Sequence, residues 1–392
     1  MPHAHLDSFL ARWGARGLLL GLAGCVEPYA PDVINNPTSF LVVDGSINGN
    51  GVTRIKLSRT INTTTTTAPP VEKGARLFIV DDMGQRYALT EKTSGSYQSD
   101  SLLLNVARQY QLRITTAANA TYQSDPTPLK VTPPIDDLNL RVDGTEVQVQ
   151  LSTHDPTSQS RYYRWNFVET WEFNAGVKSA LEYEPVQQTV IARLTPIYTC
   201  WRTERPSLIK QSSSAQLSQD ALLNTPVLTL SGRSERLQIR YSVLVSQVAE
   251  TAAEFTYFEL LRKNTEAVGT VNDPLPTQLT GNVHRVDNAT EPVLGFVGVH
   301  TTQTRRLFIN RQDLPAQTTA LFDSPYSNCV LGYEFLCDPV TGECIKYPYT
   351  RFFGQPGTIP VDYVSNPDGY SASSPECADC RLRGSITKPS FW

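Results

Sequence analysis

The chain predicts a mainly β protein of two domains, and three observations carry that reading. Apolar residues alternate with period two through much of residues 40–310, turn-forming residues interrupt them at roughly 8–12-residue spacing, and only one segment repeats with a helical period. At 392 residues the chain suits about two or three domains of roughly 100–200 residues each. Apolar residues make up 40% and charged ones 18%, a globular balance that excludes wholesale disorder. With 34 Lys+Arg against 38 Asp+Glu the formal net charge is -4 and no basic run exists, which excludes a broad nucleic-acid footprint.

Residues 1–24 have the form of a signal peptide. Arg12 and Arg16 supply a positive region, and Gly17-Leu-Leu-Leu-Gly-Leu22 a short apolar core. A run that short cannot cross about 30 Å of hydrocarbon as a helix. The segment ends in Leu22-Ala-Gly-Cys25, which matches a bacterial lipoprotein box. In such a box the cysteine thiol receives a diacylglyceryl group, the peptide is cut before it and the new amine is acylated, so Cys25 is the expected lipidation site. Two or more acyl chains give stable attachment. No other stretch approaches 18 apolar residues, so the mature chain is expected to be anchored to a membrane and not to span it. Residues 25–38, with Pro28, Pro31 and Pro37, read as the lipidated cysteine and an extended tether.

The first domain is placed at 39–125. Phe40 to Gly45 looks like a buried strand running into a turn, and Val52 to Leu57 like a second. The threonine run between Ile61 and Pro70 is a low-complexity loop. Ala75, Leu77 and Ile79 alternate with polar neighbours, Asp81-Asp82-Met83-Gly84 supplies a hairpin turn, and Tyr87 and Leu89 resume the alternation. Gly95-Ser96-Tyr97 opens another strand, and Tyr110, Leu112 and Ile114 one more. About seven short strands at this spacing indicate an antiparallel β-sandwich.

Pro126, Pro128, Pro133 and Pro134 mark a linker at 126–134, or a strand crossing between sheets, and a second β-rich domain is placed at 135–320. Val147 to Leu151 and Tyr163 to Phe167 alternate strictly, and strands also fit Thr189–Ala192, Val227–Leu230, Leu237–Tyr241, Gly295–Val299 and Arg306–Ile309. One helix is expected near 247–264. Val248, Ala252, Phe255, Phe258 and Leu261 form its apolar stripe, facing the core, with Ser246 as N-cap, Glu259 one turn before Lys263, and Gly269 and Pro274 beyond its end.

Residues 321–392 are rich in Tyr, Pro and Gly and carry five of the six cysteines left after Cys25: Cys200, Cys329, Cys337, Cys344, Cys377 and Cys380. An even number in an exported chain reads as disulfides, replacing a core this segment cannot build alone. Six cysteines allow 15 connectivities. The simplest arrangement is two or three local bridges, with Cys200 reaching into the C-terminal segment. Cys377-Ala-Asp-Cys380 has the spacing of zinc knuckles and redox motifs, but export and the absence of a histidine in the segment favour disulfides. Tyr326, Tyr333, Tyr347, Tyr349, Tyr363 and Tyr370 form either a surface for stacking on a ligand or partner, or simply the segment's small core. No metal and no cofactor are expected. His154-Asp155 is an unpromising dyad, because adjacent residues at a strand end point to opposite faces. His154, His284 and His300 are all expected as surface or loop histidines, and Gly-x-Ser-x-Gly, His-Glu-x-x-His and Walker-type motifs are absent.

Several stretches together resemble a Bacteroidota lipoprotein family, the domain-of-unknown-function family 4249. They are Cys25-Val-Glu-Pro-Tyr, Leu41-Val-Val-Asp-Gly45, Tyr163-Arg-Trp165, Cys200-Trp201 and Phe258-Glu-Leu-Leu261. Gln278-Leu-Thr-Gly-Asn282, Leu294-Gly-Phe-Val-Gly298, Cys377-Ala-Asp-Cys-Arg-Leu-Arg-Gly384 and Lys388-Pro-Ser-Phe-Trp392 complete them, across essentially the whole mature chain. The resemblance implies an outer-membrane lipoprotein, often encoded beside a TonB-dependent transporter, whose N-terminal sandwich is immunoglobulin-like. It implies no catalytic residue. Glu27 is the one acidic residue near Cys25, which leaves the periplasmic and cell-surface faces both open, the surface slightly favoured. The expected function is therefore a non-enzymatic binding or accessory subunit, held to the membrane by its lipid and working with a TonB-dependent transporter in ligand capture or uptake. The alternatives are a cell-surface adhesin and an envelope hydrolase acting on peptide or glycan.

Overall fold

The structure, a computed structural model, describes residues 39–61, 67–266, 279–338 and 340–392. The signal peptide, Cys25, the tether, Gly269 and Pro274 lie outside them. With 47% strand and 10% helix the protein is mainly β.

The first unit begins with β1 (Leu41–Asn48), β2 (Val52–Arg59), β3 (Arg76–Asp81), β4 (Arg86–Thr93), β5 (Ser96–Ser101), β6 (Gln109–Thr115), β7 (Thr121–Ser124) and the short β8 (Thr127–Pro128). Seven of them form one continuous antiparallel path, β7-β6-β3-β4-β5-β2-β1, with β8 beside β6. Period-two alternation turns Leu41, Val43, Ile55, Leu77, Tyr97 and Leu112 to a single core. The β3–β4 turn forms where Asp81 Oδ1 accepts from the backbone N–H of Met83 (2.9 Å) and Gln85 (2.8 Å), and Gly84 takes the left-handed conformation (φ +85°) the turn requires.

The second unit is a sandwich of two antiparallel sheets. Its strands are β9 (Ile135–Asp143), β10 (Glu146–His154), β11 (Tyr162–Asn174), the outlying pair β12 (Leu181–Glu184) and β13 (Thr189–Ala192), then β14 (Thr199–Glu204), β15 (Lys210–Ser213), β16 (Ala221–Ser231) and β17 (Arg240–Ala249). Helix α1 (Ala252–Glu266) follows. Strands β18 (Val283–Arg285) and β19 (Val299–His300) then return to the first unit, β18 pairing with β7 and β19 running parallel to β1. Strand β20 (Thr302–Asn310) re-enters the second unit, completing sheets of order β16-β10-β9 and β14-β11-β17-β20, with β15 beside β11. Val149 and Leu151 from one sheet meet Trp165, Phe167 and Val243 from the other. A polar chain runs through this core: Trp165 Nε1 donates to Oε1 of Gln247 (2.8 Å), and Gln247 Nε2 donates to the carbonyl of Pro133 (2.9 Å) and to Thr153 Oγ1 (3.0 Å).

Three expectations need correction. The stretch 135–320 is not one continuous domain, because Val283, Val293, Val297 and Val299 are core residues of the first unit. Residues 126–134 are not a free linker: the backbone of Lys130 bonds Val299 and Thr301, so the two crossings between units run side by side. The helix starts at Ala252, while Ser246 and Val248 belong to β17. Thr251 is the N-cap, its Oγ1 accepting from the N–H of Glu254 (3.1 Å). Glu254 and Tyr257 are the buried residues of α1, while Phe255, Phe258 and Leu261 are half-buried and Ala252 is exposed. Glu259 does pair with Lys263 (2.9 Å).

A buried charge cluster explains that rotation of the helix. Arg164, on the outer face of β11, bonds Glu250 and also Glu254 (3.1 Å), and its guanidinium covers the Phe258 ring at 4.1 Å. Gln211 Nε2 donates to the other Glu250 oxygen (2.6 Å), and His300 Nε2 lies 3.6 Å from Glu254. Both glutamates and His300 are essentially fully buried. Burial pushes the Glu250 carboxyl up despite Arg164. Burial opposes the charge on Glu254 too, but His300 and Arg164 outweigh it and hold that carboxyl below its ordinary value.

Arg164→Met removes the one cation that Glu250 and Glu254 share, and a stranded buried charge costs about 3–5 kcal/mol. The loss is expected near pH 7 in denaturant unfolding. The wild-type contribution of Glu254, whose carboxyl is depressed, is present above its unfolded value and lost as pH falls through the folded one; that of Glu250, which is raised, runs the opposite way. In the variant both carboxyls favour the protonated form, so its deficit should shrink as pH drops toward about 4–5. An equal deficit at both pH values would show that burial of charge is not the cause.

Candidate binding site

The outer face of the five-stranded sheet carries an uncommon row of side chains. Pairing registers place Trp201, Glu172, Arg240 and Asn310 opposite one another across β14, β11, β17 and β20, with Phe308 one step along. The C-terminal residues lie over this row. Ser385 and Trp201 exchange backbone hydrogen bonds (2.8 and 2.9 Å), and Trp392 Nε1 donates to Glu172 Oε2 (3.2 Å). The Trp392 ring meets Phe308 edge-on at 5.8 Å, and Phe391 lies under the Arg306 guanidinium at 3.6 Å.

Arg240 sits 4.5 Å from the Phe308 ring and 5.4 Å from that of Trp392. Its guanidinium makes no hydrogen bond and no ion pair among the described residues, and its Nε is buried without a partner. Other half-buried arginines of this unit have hydrogen-bond partners, Arg306 on Ser242 Oγ (2.9 Å), Arg161 on the carbonyls of Ser214 and Leu217, and two more on acids. Arg236 bonds Glu169 and Glu204 (both 2.8 Å), and Arg383 grips Glu235 through two bonds (2.8 and 2.7 Å).

Beside Arg240 a cleft of about 660 Å³ opens, lined by Glu172, Gln238, Asn310, Arg311, Gln312 and Leu314 among others. It shares Gln238, Ile239 and Arg311 with a second hollow of about 350 Å³ that adds Phe173, Phe322 and Tyr326. Arg311 donates to the neutral Gln238 Oε1 (2.8 Å) and pairs with no acid among the described residues. A larger groove of about 800 Å³ runs under residues 128–134 between the units. Its charged groups are already engaged: Lys130 Nζ donates to the carbonyl of Gln159 (3.0 Å), and Asp155 accepts from the backbone of Thr157 and Gln159. The cleft with unmatched cations is the better candidate site.

The sequence candidates divide. Tyr363 and Tyr370, on a three-stranded sheet of β21 (Gly332–Phe335), β22 (Ile359–Ser365) and β23 (Asp368–Ser373), gather with Tyr349 and Phe353 from the short helix Pro348–Phe353, the other three rings 5.7–5.9 Å from that of Tyr370. Phe353 is buried and Tyr349 and Tyr370 are half-buried, so these three make that segment's small core with the exposed Tyr363 at its rim, and burial together with Tyr349 pushes the Tyr370 hydroxyl up to about 12. Tyr333 stacks on Phe335 and is exposed, as is Tyr347. Tyr326 stands apart, lining the second hollow beneath Arg383 (5.0 Å). The histidines also scatter. His154 is exposed and bonds Asp136 (2.7 Å), not its neighbour Asp155, and this contact raises its pKa. His284 bonds Asp125 (2.7 Å). His300, expected at the surface, is instead in the buried junction cluster, because β19 inserts beside β1.

The model of a family described as a domain of unknown function (DUF4249) matches residues 26–306. The chain belongs to that family. No curated protein matches it. In this DUF4249 protein the match ends within β20, short of the cross-linked segment. That segment is fixed to the second unit by Cys200–Cys380, while Cys329–Cys377 and Cys337–Cys344 close loops within it. Sequence reading missed Arg240, Arg311, Gln238 and Glu172. Arg240 alternates with buried Tyr241 and Val243 as any outward-facing strand residue does, while the rings that hold it come from Phe308 and Trp392, far along the chain.

Removing the cross-link over 180 residues with paired Cys200→Ser and Cys380→Ser substitutions should cost about 5 kcal/mol, against about 2–3 for Cys337 and Cys344, which are 7 apart. Calorimetry of the two variants checks the order, and non-reducing peptide mapping should recover Cys200 joined to Cys380. A Cys377–Cys380 peptide instead would overturn the pairing.

Proposed function

We propose that this DUF4249 protein is a non-enzymatic outer-membrane lipoprotein of the Bacteroidota type, a binding subunit that works with a TonB-dependent transporter in ligand capture or uptake. The observation that carries the reading is the cleft at Arg240, a preorganised cationic recess on a rigid, cross-linked sandwich. The lipoprotein box at Leu22–Cys25 supports the anchor. Val330, Tyr333 and Tyr347 on the C-terminal segment are exposed apolar side chains suited to a protein contact.

The hydrolase alternative draws on the two surface pairs, His154 with Asp136 and His284 with Asp125. Neither histidine hydrogen-bonds a serine, threonine or cysteine among the described residues, so each pair lacks the nucleophile of a triad.

Mild-detergent affinity purification from the native outer membrane, followed by mass spectrometry, should recover a β-barrel transporter in stoichiometric amount. Cys25→Ser should abolish palmitate incorporation and release the chain from the membrane. Recovery of the acylated protein alone would remove the transporter role and move the adhesin to the front.

A further inference from the structure

We infer that the cleft beside Trp392 is a carboxylate-binding site with Arg240 as its receptor. The inference deepens the capture reading by naming the chemical class of the ligand.

A half-buried guanidinium ordinarily has hydrogen-bond partners, and an unpaired buried donor is a costly exception. Arg240 is that exception: its Nε is buried and unpartnered, and the whole group lacks any hydrogen bond or ion pair among the described residues. The Phe308 and Trp392 rings lie against it, their centroids 4.5 and 5.4 Å from the guanidinium carbon. Contact with aromatic rings fixes a guanidinium without using its N–H groups, and the two terminal nitrogens, not buried here, match a carboxylate through two parallel hydrogen bonds. The nearest formal acid in the row, Glu172, is its cross-strand neighbour, yet forms no ion pair with it and instead accepts from the Trp392 indole.

The remaining lining completes a site for a small anion carrying neutral polar groups. Arg311 supplies a second cation, bonded to an amide and to no acid among the described residues. Two arginines against Glu172 leave the 660 Å³ cleft with an excess positive charge of one. Gln238 and Gln312 present amides able to meet hydroxyl or peptide groups. Such a carboxylate comes either from an acidic sugar or from the C-terminus of a peptide.

The test is calorimetric titration, with Trp fluorescence alongside, of the full mature chain with two matched pairs of probes: galacturonate against galactose, and N-acetyl-Ala-Ala against its C-terminal amide. In at least one pair the acid should bind about tenfold or more tightly than its neutral partner, a preference that weakens with salt. The pair showing it identifies the source. Arg240→Gln should erase the preference while the melting temperature stays close to wild type. Arg306→Gln, which alters a ring-covered arginine outside the cleft lining, should retain it. Should Arg240→Gln not fold, Arg311→Gln must weaken the same preference. Equal binding of acid and neutral probe in both pairs overturns the site, as does an acid preference that survives the cleft substitution. The isolated chain needs no transporter in this measurement. Acid preference without a co-purifying barrel therefore sinks the transporter role and not the site, and the reverse result does the opposite.

Discussion

Burial of the Arg164 guanidinium between Glu250 and Glu254 is the constraint on which the arrangement of the two units depends. Each partner arrives on a different element: the arginine on β11, one acid just after β17, the other in the first turn of α1, with His300 approaching on β19 from the first unit. Desolvating these charges is expensive, so the cluster persists only if every element keeps its place. Gly298 shows how tight the approach is, since a Cβ there would lie 2.3 Å from both carboxylate oxygens of Glu254. The two chain crossings then lock beside it, Thr132 bonding both Thr301 and the backbone of Ala249.

Most strands were legible because a half-buried strand writes its orientation into every second residue, as in Val147–Leu151 or Tyr163–Phe167. The hairpin at Asp81–Gly84 was legible from its turn chemistry. What failed was long-range. Nothing local distinguishes Val283 or Val299 from residues of the neighbouring sandwich, since membership of a sheet is decided by pairing with Ser124 or Ile47 far back in the chain. The start of α1 failed for a related reason. The apolar spacing from Val248 onward mimics a helical stripe, but Val248 is paired to Arg164 within the sheet, and the ion pair turns Glu254 inward. Pattern reasoning assigns acids to water, and here one of the deepest helical side chains is an acid.

The C-terminal segment was legible in kind and illegible in detail. Its composition announces cross-links in place of a core, and three disulfides staple it. The six tyrosines, however, are not one surface. Tyr349 and Tyr370 share a small core with Phe353, three are exposed (Tyr333, Tyr347 and Tyr363), and Tyr326 lines a hollow against the sandwich. Tyrosine suits each setting, since its ring packs while its hydroxyl tolerates water, so composition alone cannot sort them.

Arg164 and Arg240 stand on the same outer face of the same sheet, near its two ends, because Arg164 registers with Val248 and Glu172 with Arg240 along one strand pair. Between them Asn166 is exposed. Each arginine is roofed by a later piece of chain and stacked on an aromatic ring. The difference lies in what else the roof brings. Helix α1 carries Glu254 down onto Arg164, which closes that end as a structural joint. The tail carries only Phe391 and Trp392 toward the other end, and the one acid there is diverted to the indole. Two positions alike in strand, face and side chain thus differ in whether folding itself satisfies the charge. Where it does, the group holds the fold together; where it does not, the unspent hydrogen-bonding edge of Arg240 remains available to something outside the chain.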